Sequence, residues 1–324
     1  RAGLHFAPDP SSQAAASIGG NIAENAGGPH CLRLGVTRRH LRRLDWVDAS
    51  GRAWTTGRGT ALERGIDLVS LLCGSEGTLG VVTGADLALV PDPPAVVTLL
   101  AFFPELDHAT GAVVGLMGRG LLPVAVEMVD QAMLHAVEEA FAFGFPTDVA
   151  AAMIVEFAGL TDEVAGDAAE AEEFLSEAGA SEVRAAADEA ERMELWKCRK
   201  KAFGAVGRLA PSYVTMDVVV PLGSLPAIVR SIEEIKRDHG VEVATAFHAA
   251  NEYQRTRITA SATAPAEVSH HLACQMANQM PFGSSGRAQL AKTRMATSRA
   301  NPSILEIIPA SAAKWRNRTR LKAT

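Results

Sequence analysis

Apolar and polar positions along the chain fall into two regimes. From residue 1 to about 92, short apolar runs at Leu44–Val47, Leu68–Leu72, Leu79–Val82 and Ala85–Val90 are separated by turns rich in Gly, Asp and Pro. That pattern predicts the short strands of a small α+β unit, with the stretch from Ser12 to Ala26 partly helical. The run Pro91-Asp92-Pro93-Pro94 closes the unit, because three prolines in four residues cannot continue a strand interior or a helix.

Beyond it the runs lengthen and alternate between two periods. Val96–Phe103, Val124–Val129, Ala151–Ala158, Tyr213–Val220 and Val241–Phe247 read as strands. Leu106–Met117, Gln131–Phe143, the segment from Thr161 to Gly179, Ala186–Val206 and Ser224–His239 read as helices. Thr161 is a candidate cap, Asp162 and Glu163 sit in the favourable first turn of their helix, and Gly179 and Gly240 supply stops. Strands alternating with amphipathic helices imply helices packed on a sheet. After Ala249 the periodicity fades into Ser, Thr, Ala, Gln and Arg, which predicts no sustained strand and poor order from 249 to 324.

Composition and charge sharpen this division. A chain of 324 residues that is 48% hydrophobic can bury a core large enough for two domains. The net charge of −6 conceals an asymmetry: residues 1–248 carry 20 Lys plus Arg against 34 Asp plus Glu, and residues 249–324 carry 11 against 3. A basic tail with few aromatics on an acidic body argues against nucleic-acid binding. Cys31, Cys73, Cys198 and Cys274 lie far apart, which predicts ordinary thiols rather than a metal knuckle or disulfide framework. No apolar stretch reaches the roughly eighteen residues of a membrane helix. The expected location is the cytoplasm, with attachment to the inner face of the membrane as the alternative.

Two glycine-rich segments carry the candidate chemistry. Pro8 to Gly28 combines Gly19, Gly20, Gly27 and Gly28 with Ser11, Ser12 and Asn21, and Gly74-Ser75-Glu76-Gly77-Thr78-Leu79-Gly80 leads into Val81. Such backbone admits a close ligand, and Ser and Asn add short hydrogen-bonding arms. Together with His30-Cys31-Leu32-Arg33-Leu34-Gly35 these segments resemble the flavin domain of FAD-linked oxidases of the vanillyl-alcohol oxidase type, closest to the glycolate oxidase large subunit and the D-lactate dehydrogenases. The resemblance implies an α+β fold: the C-terminal part of a PCMH-type FAD-binding domain over residues 1–92, then a ferredoxin-like α+β cap domain over 93–248 that holds the substrate, then a divergent basic tail. It implies FAD contacts at Pro10, Ser11, Ser12, Gly19, Gly20, Asn21, Gly27, Gly28, Glu76, Gly80 and Val81. For Gly27 and Gly80, turn geometry is the competing explanation. The family's pyrophosphate-gripping loop would be carried by residues ahead of Arg1, which makes a fragment of a longer protein the expectation.

Further matches lie in the second regime. Glu194-Leu195-Trp196-Lys197-Cys198-Arg199 resembles the cap-domain segment whose arginine pairs with the carboxylate of a 2-hydroxy acid, a role a guanidinium fits through two parallel hydrogen bonds. Arg199 matches that position and Arg208 is the weaker candidate. Ala246-Phe247-His248-Ala249 enters the family's histidine-rich motif for a divalent metal, but Ala250-Asn251-Glu252 follows where Gly-Asp-Gly would stand, and the second histidine is absent. His248 is therefore the single remaining catalytic and metal-ligating candidate of that motif, and adjacent His270 and His271 are no obvious replacement. The break coincides with the change in charge and periodicity, which predicts a frame change or truncation behind residues 249–324. The implied activity is oxidation of a small D-2-hydroxy acid, glycolate or D-lactate, to the 2-oxo acid by hydride transfer to FAD, with other oxidase subunits, an iron–sulfur protein included, as partners. An inactive fragment or non-catalytic subunit is the alternative.

Overall fold

The computed structural model describes residues 3–60, 65–208, 213–249 and 255–262. Its first part runs β1 (Leu4–His5), α1 (Ile18–Glu24), α2 (Cys31–Leu34), α3 (Thr37–His40), β2 (Leu41–Val47), β3 (Ala53–Gly57), α4 (Leu68–Leu72), β4 (Val81–Leu87) and β5 (Val90–Pro91). Strands β3, β2 and β4 form an antiparallel sheet in that order, and β1 pairs with β5. Ile22 of α1, Leu41 and Leu44 of β2, and Val69 and Leu72 of α4 close a small core over this sheet.

Three details here depart from the pattern reading. Leu68–Leu72, expected as a strand, is helical: Asp67 Oδ1 accepts from Ser70 N at 3.0 Å, and Val69 and Leu72, three apart, are buried while Leu71 is 54% exposed. Five residues, four of them apolar, cannot reveal their own period, so the cap decides. The runs expected as two strands between Leu79 and Val90 merge into β4, because Gly84 sits against Asp45 where the register of β2 shifts rather than ending the strand. Strand β3, absent from the pattern, returns from a turn in which Asp48 Oδ1 accepts from Ser50 N and Arg52 N, and its Trp54 stacks on Trp46 at 6.1 Å.

The second part is built on a seven-stranded antiparallel sheet. Its elements are β6 (Ala95–Phe103), α5 (Leu106–Gly118), β7 (Ala125–Asp130), α6 (Gln131–Phe141), β8 (Ala151–Gly159), α7 (Thr161–Glu177), β9 (Glu182–Ala185), α8 (Glu189–Ala205), β10 (Val214–Pro221), α9 (Leu225–His239), β11 (Val243–His248) and β12 (Arg255–Ala262). The strand order is β10-β12-β11-β7-β8-β6-β9. Leu99, Ala101 and Phe103 face one way, onto α5, α7 and α9. Leu100 and Phe102 face the other, onto α6 and α8. Helices on both faces explain why β6, β7 and β8 read as continuous apolar runs instead of alternating ones.

Helix ends follow local chemistry with small shifts. Helix α7 is capped by Leu160, not by Thr161, which is its first helical residue; Asp162 and Glu163 do occupy the first turn, and Gly179 follows the end at φ 98°. Helix α8 begins at Glu189, later than expected, because Asp188 Oδ1 accepts from Glu191 N at 2.9 Å. Strand β9 is an addition at the sheet edge. Strand β12 is the larger correction: the polar segment after Ala249, expected to hold no strand, places Arg255–Ala262 between β10 and β11, paired through the backbone along its length. The rest of the tail, with His270, His271 and Cys274, lies outside the described residues, as does the expectation of poor order there. The three described cysteines are free thiols, buried at Cys73 and Cys198 and half-buried at Cys31, as expected.

The capping of α4 yields a test. Asp67 is lowered from 3.8 to about 2 by its hydrogen bonds to Ser70, with Arg38 adding to the effect. A depressed carboxylate contributes stability present above its unfolded pKa and lost as pH falls through the folded one. Asp67→Ala is expected to cost about 1 kcal/mol in urea unfolding at pH 7, with the gap to the parent protein narrowing between pH 4 and pH 2. An unchanged midpoint at pH 7 would restore the strand reading.

Candidate active site

The two glycine-rich segments meet as one surface. Ser17 caps α1 by accepting from Gly20 N at 3.0 Å, and Asn25, in the left-handed conformation at φ 50°, ends it. The second segment then docks on that helix: Gly74 N donates to Ile22 O and Glu76 N to Ala23 O, both at 2.9 Å. Asn25 Oδ1 accepts from Arg38 N at 2.9 Å, fixing the corner. Of the predicted cofactor residues, Ser11, Ser12, Gly19, Gly20 and Glu76 are exposed, as is Val81 at 65%. Pro10, Gly27, Gly28 and Gly80 are half-buried and Asn21 is buried.

The glycines divide by what a side chain would meet. A Cβ on Gly28 would lie 2.4 Å from Asp9 Oδ1, one on Gly27 2.6 Å from Cys31 Sγ, and one on Gly80 2.7 Å from the Trp46 ring. Their own fold demands these three. Gly19 has nothing within 4 Å of its Cβ position, although it lies in α1, where glycine costs stability. The fold supplies no reason for Gly19, and a closely approaching ligand would. An exposed Gly/Ser backbone with apolar Ile18, Leu79 and Val81 exposed on the same elements fits the flat, partly apolar ring and polar edges of a flavin.

Arg199 and His248 come together through a residue that the pattern reading did not single out. Helix α8 carries Arg199 into the sheet face, 4% exposed, where its Nη2 lies 2.8 Å from Glu127 Oε2 and 3.4 Å from Phe247 O. The geometry is that of a charge pair rather than an aligned hydrogen bond, and Arg199 Nε has no hydrogen-bond partner. Glu127 Oε1 accepts from His248 Nδ1 at 2.7 Å, the polarity an ionised carboxylate requires. Glu127 of β7 and His248 of β11 are directly opposite across the ladder, which brings their side chains into reach. A lone Glu within the apolar run Val124–Val129 was the available signal, since a buried charge must find a partner.

A cavity of about 20 Å³ lies beside this trio, lined by Glu127, Cys198 and Arg199 and otherwise by apolar residues such as Leu134 and Phe145. That is room for one water. Burial pushes the Cys198 thiol up to about 12, so it stays neutral and is no nucleophile. Arg208 is exposed in the turn after α8. Among the described residues no group of three or more His, Cys, Asp or Glu side chains is arranged to hold a metal ion.

The helix bearing Arg199 also touches the glycine-rich surface. Lys200 Nζ lies 3.3 Å from Asp9 Oδ2 and donates to Gln13 Oε1 at 3.3 Å, on either side of Pro10, Ser11 and Ser12. The structure therefore sets the candidate carboxylate-binding helix directly against the candidate flavin-binding loop. No helix among the described residues is long and apolar enough to cross a membrane.

Both parts of the chain match known protein families. Residues 1–57 match the family described as FAD binding domain, and residues 92–274, β12 included, match FAD linked oxidases, C-terminal domain. The glycolate oxidase subunit GlcD of Escherichia coli (strain K12) is 40% identical over 82% of this chain and 53% of its own length. A probable mitochondrial D-lactate dehydrogenase of Danio rerio is 32% identical over 70% of this chain and 46% of its own. The chain spans about half the length of these curated relatives. Among solved structures, an alkyldihydroxyacetonephosphate synthase superposes with a TM-score of 0.66 at 17% identity, over 85% of this chain and 55% of that one, which shows the shared fold. On the family match, on these relatives and on the two docked glycine-rich segments, the chain belongs to the FAD-linked oxidases.

Proposed function

We propose that this chain supplies the second half of the flavin cradle and the substrate domain of an FAD-dependent dehydrogenase that converts a small D-2-hydroxy acid, glycolate or D-lactate, to its 2-oxo acid. The observation that carries the reading is the contact of α8, with its Arg199, against the loop at Pro10, Ser11 and Ser12. The names of the relatives, a glycolate oxidase subunit and a D-lactate dehydrogenase, support the substrate class. The first of them also supports work as one subunit among several, with an iron–sulfur protein as the proposed redox partner.

FAD, when bound, supplies the hydride acceptor. Pro10, Ser11, Ser12, Gly19, Gly20, Asn21, Glu76 and Val81 would hold it through exposed backbone and short polar arms, while Gly27, Gly28 and Gly80 set the shape of the loops that present them. Arg199 orients the substrate by its carboxylate. Its guanidinium has five donors, and the pairing with Glu127 and Phe247 O leaves Nε free to serve that carboxylate. His248, with Nδ1–H committed to Glu127, keeps the lone pair of Nε2 for the proton of the substrate hydroxyl. Glu127 thus neutralises Arg199 and fixes the tautomer of His248 with its two oxygens. No step of this reading uses a divalent metal.

Two substitutions test it. Gly19→Ala is expected to raise the stability of the flavin-free protein by about 0.5–1 kcal/mol and to reduce retention of added FAD, read from thermal melting and from flavin absorbance after desalting. If the variant keeps flavin as well as the parent, Gly19 does not face the cofactor. In the flavin-loaded protein, Arg199→Lys is expected to lower the anaerobic rate of flavin bleaching by D-lactate or glycolate by roughly 10- to 100-fold, through loss of the Nε–H donor that lysine lacks. Bleaching at the parent rate would remove Arg199 from the substrate site, and a parent protein that takes up no FAD would sink the flavin reading itself.

A further inference from the structure

We propose that His30 is a positioning residue of this site: as a doubly protonated imidazolium it pins the Asp9–Ser12 edge of the glycine-rich surface to the cap-domain sheet and to α8, the helix that carries Arg199. The functional meaning of those two elements rests on the flavin and substrate reading above; the pin itself rests on geometry alone.

His30 caps α2 and places each ring nitrogen on a carboxylate from a different part of the chain. Nδ1 lies 2.9 Å from Asp9 Oδ2, and Nε2 lies 2.8 Å from Glu156 Oε1 on β8. A neutral imidazole has one N–H and one lone pair, and a lone pair aimed at an anionic oxygen would repel it. Two carboxylates at hydrogen-bond distance therefore demand N–H at both positions. Glu156 is itself anionic by its company, because Oε2 accepts from Thr98 Oγ1 at 2.5 Å, Trp196 Nε1 at 2.6 Å and Arg192 Nη1 at 3.1 Å. Asp9 Oδ2 also faces Lys200 Nζ at 3.3 Å. The indole of Trp196 lies against the His30 ring, centroids 5.0 Å apart.

The surrounding charges balance only with His30 charged. The loop at Pro8–Pro10 contributes Asp9, β8 contributes Glu156, and α8 contributes Lys200 and Arg192, the latter also paired with Glu189 at 2.7 Å. On the short helix of His30 itself, Arg33 turns away to donate to Ala158 O, and Cys31 Sγ accepts from Gly28 N. Strand β7, which also packs on α2, directs Glu127 to Arg199 and His248 instead. Three carboxylates thus meet Arg192, Lys200 and the imidazolium. Gly28 makes room for the arrangement, since a Cβ there would drive into Asp9. The two carboxylates belong to separate parts of the fold, so this ring, together with Lys200, joins the Asp9–Gln13 loop to the sheet and to α8.

Titration behaviour follows from the same contacts. Burial alone would lower His30, but the hydrogen bonds and charges of Asp9 and Glu156 outweigh it and raise it from 6.5 to about 9. Burial would raise Glu156, yet His30, Thr98 and Trp196 hold it down, from 4.5 to about 2. A raised histidine contributes stability fully present below its unfolded pKa and lost as pH rises through the folded one; a depressed glutamate contributes stability lost as pH falls through its own. The pin is at full strength between about pH 4.5 and 6.5 and is released through about pH 9.

The test needs no cofactor. In the intact chain labelled with ¹⁵N, both His30 ring nitrogens are expected at imidazolium shifts up to about pH 9, and the backbone amides of residues 9–12 and 196–200 are expected to move with the same midpoint. His30→Gln should displace those amides already at pH 7 and abolish the transition, whereas His30→Lys, which keeps the charge, should leave their pH 7 shifts close to the parent's. Trp196 emission, quenched by the adjacent imidazolium, should rise through the same midpoint and not in His30→Gln. With flavin loaded, the rate of bleaching should fall with that midpoint in the parent and not in His30→Lys. A ring with one unprotonated nitrogen at pH 7, or amides of the two segments that do not follow it, overturns the pin. Failure to take up FAD alongside a normal titration overturns the proposed oxidation instead and leaves the pin standing.

Discussion

The constraint on which the structure turns is the presence of carboxylates inside a sheet that is covered on both faces. Glu127 and Asp130 on β7 and Glu156 on β8 are each no more than 3% exposed. Taking an ion out of water costs several kcal/mol unless donors replace the lost hydration, so each of these groups dictates what must stand around it. Asp130 accepts from Met133 N at the start of α6 and from Thr245 N on β11, and burial raises it to about 6 despite those bonds. Glu127 requires Arg199 and His248. Glu156 requires Thr98, Trp196, Arg192 and His30. Together they fix α6, α8, β11 and the first part of the chain against one pair of neighbouring strands.

Two of the three point to the same helix, and α8 is accordingly unlike its neighbours. Arg192, Trp196, Arg199 and Lys200 recur at spacings of four, three and one along it, which places them on one broad face. That face is turned to the sheet and the glycine-rich loop, so beside the buried apolar Leu195, Cys198 and Ala202 the helix also carries charge inward, where α9 presents Leu225, Ile228, Val229, Ile232 and Ile235. A helix held by ion pairs to buried carboxylates is positioned more sharply than one held by interchangeable apolar contacts, since removing either partner strands a buried charge. For a residue that must meet a substrate carboxylate beside a cofactor, such placement matters more than added stability.

How much of this could be read from the chain depended on the distance over which each signal acts. Strands β6, β7 and β8 and helices α5, α7 and α9 were legible because their cores lie in their own periodicity and their ends in neighbouring residues such as Gly179 and Gly240. Helix α4 was not, because a run of five residues carries no period and only Asp67 marks it. Strand β12 was not, because Ile258 is its one large apolar residue and its place depends on pairing with β10 and β11. Resemblance pointed to Arg199, His248 and the glycine loops, and the fold brings the first two together on Glu127. Glu127 and His30 were not singled out, although a charge inside an apolar strand announces that a partner exists; which partner, more than a hundred residues away for both histidine contacts, emerges only when the chain folds.

The glycines of the opening segment show how structure separates two causes that look alike in sequence. Gly19 and Gly28 stand in the same motif, nine positions apart. Gly28 is explained from within: with a side chain there Asp9 could not approach, His30 would lose one of its two carboxylates, and the glycine-rich loop would lose its tie to α8. Gly19 is explained only from without, because its Cβ position is open and its helix would gain from alanine. A ligand surface needs both kinds. The first shapes the loop and anchors it to the seven-stranded sheet and α8, and the second keeps the resulting face clear for a ligand. That the crowded glycine lies next to the interdomain histidine and the open one lies on the exposed face is the arrangement expected if cofactor contact and domain coupling are separate tasks of one loop.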